Sequence, residues 1–197
     1  MKLRERMVEA TGRVIRERGP AGTTTKEIAH AAGCAEGSIY NHFGGRHELL
    51  AAAAEGCLPN SGLVRQFPGR AGFGTVRGNL EEFANTALSI FSETVPLWAA
   101  VLSDPEVLAA HRRSTGGGRS GLEGAFEAVA DYVAAEQKLG RVGRRADPSA
   151  AAEILVGACH SRAFLRSFET DPEASHDRFV DGLVGTLLVG LAPEAEE

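Results

Sequence analysis

The stretch from Thr25 to Phe43 constrains this chain most, because it reads as two short helices joined by a tight corner. Thr25 is placed to cap the first helix, its hydroxyl accepting a backbone N–H that the first turn leaves unpaired. Ile28, Ala29 and Ala32 then fall on one helical face. Gly33 stands where that helix must stop, since a left-handed residue there costs glycine nothing. After the corner, Ile39 and Phe43 lie four apart on an inner side, and Ser38, Tyr40, Asn41 and His42 are left for the outer one. Small residues at 29 and 32 let the two helices approach closely. This is the layout of a helix-turn-helix, in which the second helix enters the major groove of DNA.

The outer residues suit that task chemically. Asn41 can pair bidentately with adenine, Ser38 can donate to or accept from several bases, and Glu36 can accept from cytosine N4. Gly37 would let the backbone approach the groove closely. Phosphate contacts fall most naturally to Thr24, Thr25, Tyr40, His42 and Arg46, with the start of the following helix beside them.

The charge distribution agrees with a chain that meets DNA at one end. The net charge of 197 residues is −5, yet residues 1–50 carry eight Lys and Arg against six Asp and Glu, leaving the remainder at −7. A hydrophobic fraction of 43% is enough to bury a core. Cys34, Cys57 and Cys159 are odd in number, far apart and without CxxC spacing, so they read as reduced thiols rather than a disulfide framework. The start, Met-Lys-Leu-Arg-Glu-Arg, is too charged for a signal peptide. The longest apolar run, Gly182 to Ala192, is far short of the roughly 20 residues that span a bilayer. The expectation is a soluble, cytoplasmic protein with no membrane contact.

No internal repeat or strand-period segment appears, so the fold class is all-α. A first helix runs from Leu3 to Arg18 and a fourth from about Arg46 to Leu58. The Gly- and Pro-rich residues 59–78 read as a loop. Val76 to Thr94 is helical, Pro96 breaks or kinks it, and Leu97 to Leu102 forms a short apolar helix. Asp104-Pro105 caps a helix over Glu106 to Arg113, and Gly116-Gly117-Gly118 breaks the chain before Leu122 to Leu139. Asp147-Pro148 and Asp171-Pro172 then start two long helices, ending near Phe168 and Leu191, with Asp serving the N-terminal dipole and Pro needing no donor there. Broad apolar stripes on these last two either close the core or form an interface between copies.

Thr-x-x-Ile-Ala-x-x-Ala-Gly, followed by Gly-x-Ile-Tyr-x-His-Phe, resembles the DNA-binding signature of the tetracycline-repressor (TetR) family. The flanks resemble it too, with Arg46-His47-Glu48-Leu49-Leu50 similar to the start of that family's fourth helix. The match covers about the first quarter of the chain. Ala35 and Gly45 depart from the capping residues usual there, leaving the second helix of the motif without a capping side chain. The resemblance implies a three-helix DNA-binding domain over residues 1–46, a linking helix over 46–58, and a helical ligand-binding and dimerisation domain over 47–197. It favours phosphate positioning for Tyr40 and His42, and implies that the last two helices pair with their mates in a homodimer. It also implies a mostly apolar effector pocket, for which Phe83, Phe91, Trp98, Leu102, Phe126, Tyr132, His160 and Phe164 are the aromatic, apolar and polar side chains available. Each is equally at home in a plain core.

The resulting expectation is a homodimeric repressor, bound to a near-palindromic DNA operator and released by a small, largely apolar effector. One rival is a constitutive or activating DNA-binding regulator without effector. Another is a helical enzyme or carrier using Cys159 or His160, but neighbours on a helix point about 100° apart and make no matched pair. No HExxH, GxSxG or P-loop occurs, and His30, His42 and His47 lack metal-ligand spacing, so neither metal nor cofactor is expected.

Overall fold

A computed structural model describes residues 2–20, 22–60, 62–115, 121–169 and 176–191. Among them every regular element is helical: α1 (Leu3–Arg18), α2 (Thr25–Ala32), α3 (Gly37–Phe43), α4 (Arg46–Asn60), α5 (Leu63–Gln66), α6 (Val76–Ser103), α7 (Pro105–Thr115), α8 (Gly121–Lys138), α9 (Pro148–Arg166) and α10 (His176–Leu191), with a 3-10 turn at Phe67–Arg70. The all-α expectation holds.

The chain packs as two compact units. The first takes Met1–Cys57 and Glu93–Gly121, the second Leu58–Ser92 and Leu122–Glu197, so α6 contributes to both. In the first unit, Met7 and Ala10 of α1 meet Ile28, Ala29 and Ala32 of α2, Ile39 and Phe43 of α3 and Leu49 of α4 in one buried cluster. A second cluster joins Ile15 of α1, Leu50, Ala53 and Ala54 of α4, Leu97 and Val101 of α6, and Val107 of α7. The first unit therefore extends well beyond the three helices of the head. In the second unit, the core runs through Leu80, Phe83, Ala84, Leu88 and Phe91 of α6, Val129, Tyr132 and Val133 of α8, Leu155, Val156 and Cys159 of α9, and Val180, Val184 and Leu187 of α10.

Local chemistry sets the helix ends. Asp104 accepts the Glu106 N–H at 2.9 Å and starts α7, and Asp147 accepts the Ser149 and Ala150 N–H groups and starts α9. The cap of α2 is Thr24, not Thr25. Its hydroxyl accepts from the Glu27 N–H while the Glu27 carboxylate accepts from the Thr24 N–H, a reciprocal box that Thr25 cannot make because no acidic residue lies three positions beyond it. The Gly116–Gly118 break and the Asp171-Pro172 cap lie outside the described residues.

Three segments depart from the sequence expectation. Residues 59–78 hold more than a loop: α4 extends to Asn60, and α5 and the 3-10 turn follow. Burial explains this, since Phe67 packs its ring on Phe83 at 4.6 Å and on Tyr132 at 4.5 Å. Pro96 does not divide α6, which is continuous from Val76 to Ser103. Proline removes one donor and frees the carbonyl of Ser92, which is exposed and open to water, while buried Phe91 and Leu97 hold the helix on either side. α9 ends at Arg166, two residues before Phe168. α6 is also the one described helix long and apolar enough to cross a membrane by length and composition. Its apolar residues serve the two cores named above.

Candidate nucleic-acid interface

The corner between α2 and α3 is a closed hydrogen-bonded turn. Gly33 adopts φ 65°, ψ 46°, donating to His30 O, and Cys34 donates back to Ala29 O at 3.0 Å. That left-handed residue turns the chain so that α3 packs Ile39 and Phe43 inward. α1 secures the end of α2: Arg6 donates to the carbonyls of Ala32 and Gly33, Arg13 donates to Ala31 O, and the Arg4 guanidinium lies 4.8 Å from the Phe43 ring centroid. These arginines complete the α2 carboxyl end and cover the inner face of α3, so three of the basic residues of α1 are structural.

The opposite face of α3 is open. Glu36, Gly37, Tyr40, Asn41 and His42 are exposed, Tyr40 by 53%, and Ser38 is half-buried. Six candidate residues thus stand together on a helix held from behind by a buried cluster. α3 starts without a capping side chain, as Ala35 implied. Thr25, in the first turn of α2, donates its hydroxyl to the Glu36 carboxylate across the corner, which orients one candidate base-reading group with another candidate residue. Thr24 is exposed beside it. Arg46 is engaged differently: Nε donates to Thr23 O and Nη2 to Pro20 O, both at 3.2 Å, and Nη1 faces Asp104 at 3.8 Å. Its guanidinium fastens the segment before α2 to α4 and α7.

The eight candidate ligand residues divide between the two units. Trp98 and Leu102 belong to the first unit, where Trp98 packs edge-on against His111 and Leu102 is 69% exposed. Phe83, Phe91 and Tyr132 are fully buried in the second unit, Phe126 and His160 are half-buried there, and Phe164 is 49% exposed on α9. The second unit holds a cavity of about 180 Å³, lined by Gln66, Phe67, Arg70, Asn79, Phe83 and Thr86 among others. Of the eight, Phe83 is the one that lines it.

Beside this cavity is a buried polar cluster that sequence reading did not anticipate. Asn79 donates to Phe73 O at 2.8 Å and to the Tyr132 hydroxyl at 3.0 Å. Glu136, with no exposed surface, accepts the Gly72 N–H at 3.2 Å and faces Arg141 Nε at 3.1 Å, and Arg141 also donates to Gly74 O. Burial is the main cause that pushes the Tyr132 phenol up to about 12, reinforced by its bond to Glu136. The cluster ties residues 72–74 to α8. The signal available in sequence was Glu136 and Arg141 flanking Gly140, whose φ of 72° folds the chain back.

Cys159 is wholly buried, its Sγ 3.9 Å from Ala84 O, and burial pushes its thiol up to about 12. It is expected to resist alkylation in the folded protein at neutral pH and to react at the ordinary rate in urea, as mass spectrometry would read. Both raised groups favour the fold only while protonated. In the unfolded chain the thiol and phenol ionise near 9.0 and 10.0, so stability is whole below that range and falls as pH rises through it. Among the described residues no group of His, Cys, Asp and Glu is arranged to hold a metal.

The buried back, the Gly33 corner and the open polar face of α3 define a protein of the helix-turn-helix class. Residues 7–53 match the family model described as bacterial regulatory proteins, tetR family. The chain is 44% identical over 52 residues to the HTH-type transcriptional regulator PksA of Bacillus subtilis (strain 168), an alignment spanning 26% of this chain and 25% of that protein. Its fold is similar to that of a TetR-family regulator from Mesorhizobium loti MAFF303099, with a TM-score of 0.78 at 18% identity over 96% of each chain. It is also similar to FadR from Bacillus subtilis, solved in complex with stearoyl-CoA, with a TM-score of 0.69 at 16% identity over 95% of this chain and 98% of that one. Residues 7–53 are thus a tetR-family DNA-binding head, and the whole length shares the fold of these solved structures.

Proposed function

We propose that this protein is a homodimeric, ligand-responsive transcriptional repressor of the cytoplasm that reads a near-palindromic operator through the major groove. The observation that carries the reading is α3, which buries Ile39 and Phe43 while presenting Glu36, Ser38, Tyr40, Asn41 and His42 outward. In this assignment Glu36, Gly37, Ser38 and Asn41 meet base edges, and Thr24, Thr25, Tyr40 and His42 meet phosphates. Arg46 acts mainly by holding the approach to α2.

Dimerisation is supported by α9. One face buries Ala152, Leu155, Val156, Cys159 and Ala163, the opposite face carries Ile154, Gly157, Ala158 and Leu165, and Phe168 follows in the turn after the helix. Ile154 and Leu165 are more than half exposed and Phe168 is 73% exposed. A Cβ added at Gly157 of α9, or at Gly182 or Gly190 of α10, would meet nothing, which leaves room for a partner helix. An amphipathic helix with two apolar faces needs a second partner.

The effector would enter the second unit at the cavity against Phe67 and Phe83. FadR, similar in fold, is seen with an acyl-CoA, which supports a largely apolar effector class. Effector binding lowers operator affinity by favouring a dimer whose two reading helices are wrongly spaced, with a coupling of about 1–3 kcal/mol. No catalytic step is assigned. Asn41→Ala is expected to weaken operator binding by about 1–3 kcal/mol and to relax specificity at one base pair, read by titrating single-base operator variants at fixed salt. An equal loss on every sequence would instead make Asn41 a backbone contact.

A further inference from the structure

Thr25 opens α2 and Glu36 stands directly before α3, and across the corner the Thr25 hydroxyl donates to Glu36 Oε1 at 2.5 Å. The corner beneath this bond is fixed. Gly33 is left-handed, Cys34 donates back to Ala29 O, and Arg6 donates to the carbonyls of Ala32 and Gly33. The first turns of the two helices therefore stand at a set separation, and the bond spans it.

Neither side chain has a task within its own helix. The cap of α2 is Thr24, whose hydroxyl is engaged with Glu27, so Thr25 has no duty at the helix start. Glu36 holds the N-cap position of α3 with φ −55°, ψ −40° and makes no capping bond. A carboxylate at that place ordinarily turns to the N–H groups of its own helix. Here it turns to α2 instead.

A threonine hydroxyl has one hydrogen. Engaged with Glu36, that hydrogen is not available to a phosphate oxygen, and the phosphate contact of Thr25 falls to its backbone N–H in the first turn of α2. Glu36 keeps Oε2 for the groove, and a carboxylate oxygen there only accepts. Cytosine N4 meets it as a donor, guanine and thymine face it with acceptors, and adenine sets the N7 acceptor beside its N6 donor. A glutamate free to rotate loses side-chain freedom on docking, whereas one held beforehand has already lost it.

We infer that Thr25 is a specificity-determining positioning residue, whose hydroxyl holds Glu36 so that the second carboxylate oxygen selects cytosine at one base pair of each half-site. The inference rests on the DNA-reading assignment of α3 and adds to it the residue that aims Glu36 and the base selected.

The test titrates the full-length protein, at fixed salt, with a duplex carrying its tightest-binding genomic site and with single-base variants of that duplex. Glu36→Ala is expected to flatten the preference at one C·G pair. Thr25→Val keeps the shape of the side chain and removes the hydroxyl, and should lower the preference for cytosine at that same pair by about 5-fold. Thr25→Ser should retain it. On the Glu36→Ala background, Thr25→Val should change nothing at that pair. Equal weakening on every sequence by Thr25→Val, or a cytosine preference that survives it, overturns the inference. A Glu36→Ala protein with undiminished preferences overturns it too. Neither side chain belongs to the buried cluster of the head, so unchanged helicity is expected, and Thr25→Ala takes the place of a valine variant that does not fold. A wild-type protein with no preferred duplex sinks the DNA-reading assignment and this inference with it. A sharp site in which Glu36 selects no cytosine sinks this inference alone.

Discussion

Replacing Ile154 and Leu165 together by glutamate is expected to turn the protein into a folded monomer and to weaken binding to a two-half-site operator by about 100-fold or more. Both side chains are more than half exposed in the single chain, so the change costs its own fold within about 0.5 kcal/mol. In a dimer built on α9 and α10, the same positions are desolvated, and two carboxylates per protomer would be buried without partners. The loss in affinity then follows from arithmetic rather than from any damage to α3. A second head bound through the first needs no further encounter, and that advantage vanishes with the dimer. Sedimentation would show the halved mass, circular dichroism unchanged helicity, and a single half-site should bind variant and wild type alike. A dimer that survives the substitutions would place the interface elsewhere.

Arg141→Met is expected to lower stability by about 3 kcal/mol, lowering the melting temperature by about 6–12 °C. The reason is Glu136, which has no exposed surface and depends on the Arg141 guanidinium at 3.1 Å and the Gly72 N–H at 3.2 Å. Removing the cation strands a buried carboxylate, which is far worse than removing both charges. Adding Glu136→Gln should therefore recover most of the loss, since a neutral amide still accepts from Gly72 at a small desolvation penalty. If the double variant is no more stable than Arg141→Met, the guanidinium contributes through its bond to Gly74 O and its packing, not through its charge. The same substitution should slacken residues 72–74, next to the Asn79 and Phe67 that line the cavity, so effector affinity is expected to fall with stability.

The head was legible because its determinants are local. Gly33 must turn left-handed, Asp104 and Asp147 sit directly before their prolines, and the inner and outer residues of α3 separate by helical period alone. The placement of the α2 cap is equally local, though the sequence reading puts it at Thr25: Glu27 lies three residues after Thr24, the spacing of a capping box, and only two after Thr25. What lay beyond reach depends on contacts distant in sequence. Arg46 bonds carbonyls 23 and 26 positions away. Phe67 orders a glycine-rich segment by packing on Tyr132, and Glu136 is buried because Arg141 and Gly72 reach it from two directions. The ligand candidates differ in burial for a related reason: Phe91 in a core, Leu102 on a surface and Phe164 beside the outer face of α9 are the same kind of residue, and only tertiary placement tells them apart.

The most direct test is to select genomic DNA fragments on the purified protein at fixed salt and sequence those that bind most tightly. The repressor account predicts an inverted repeat of two half-sites, bound at about 10 nM or tighter and lost in the Ile154 and Leu165 double variant. Weak binding that follows salt alone, with no recurring sequence, would contradict it.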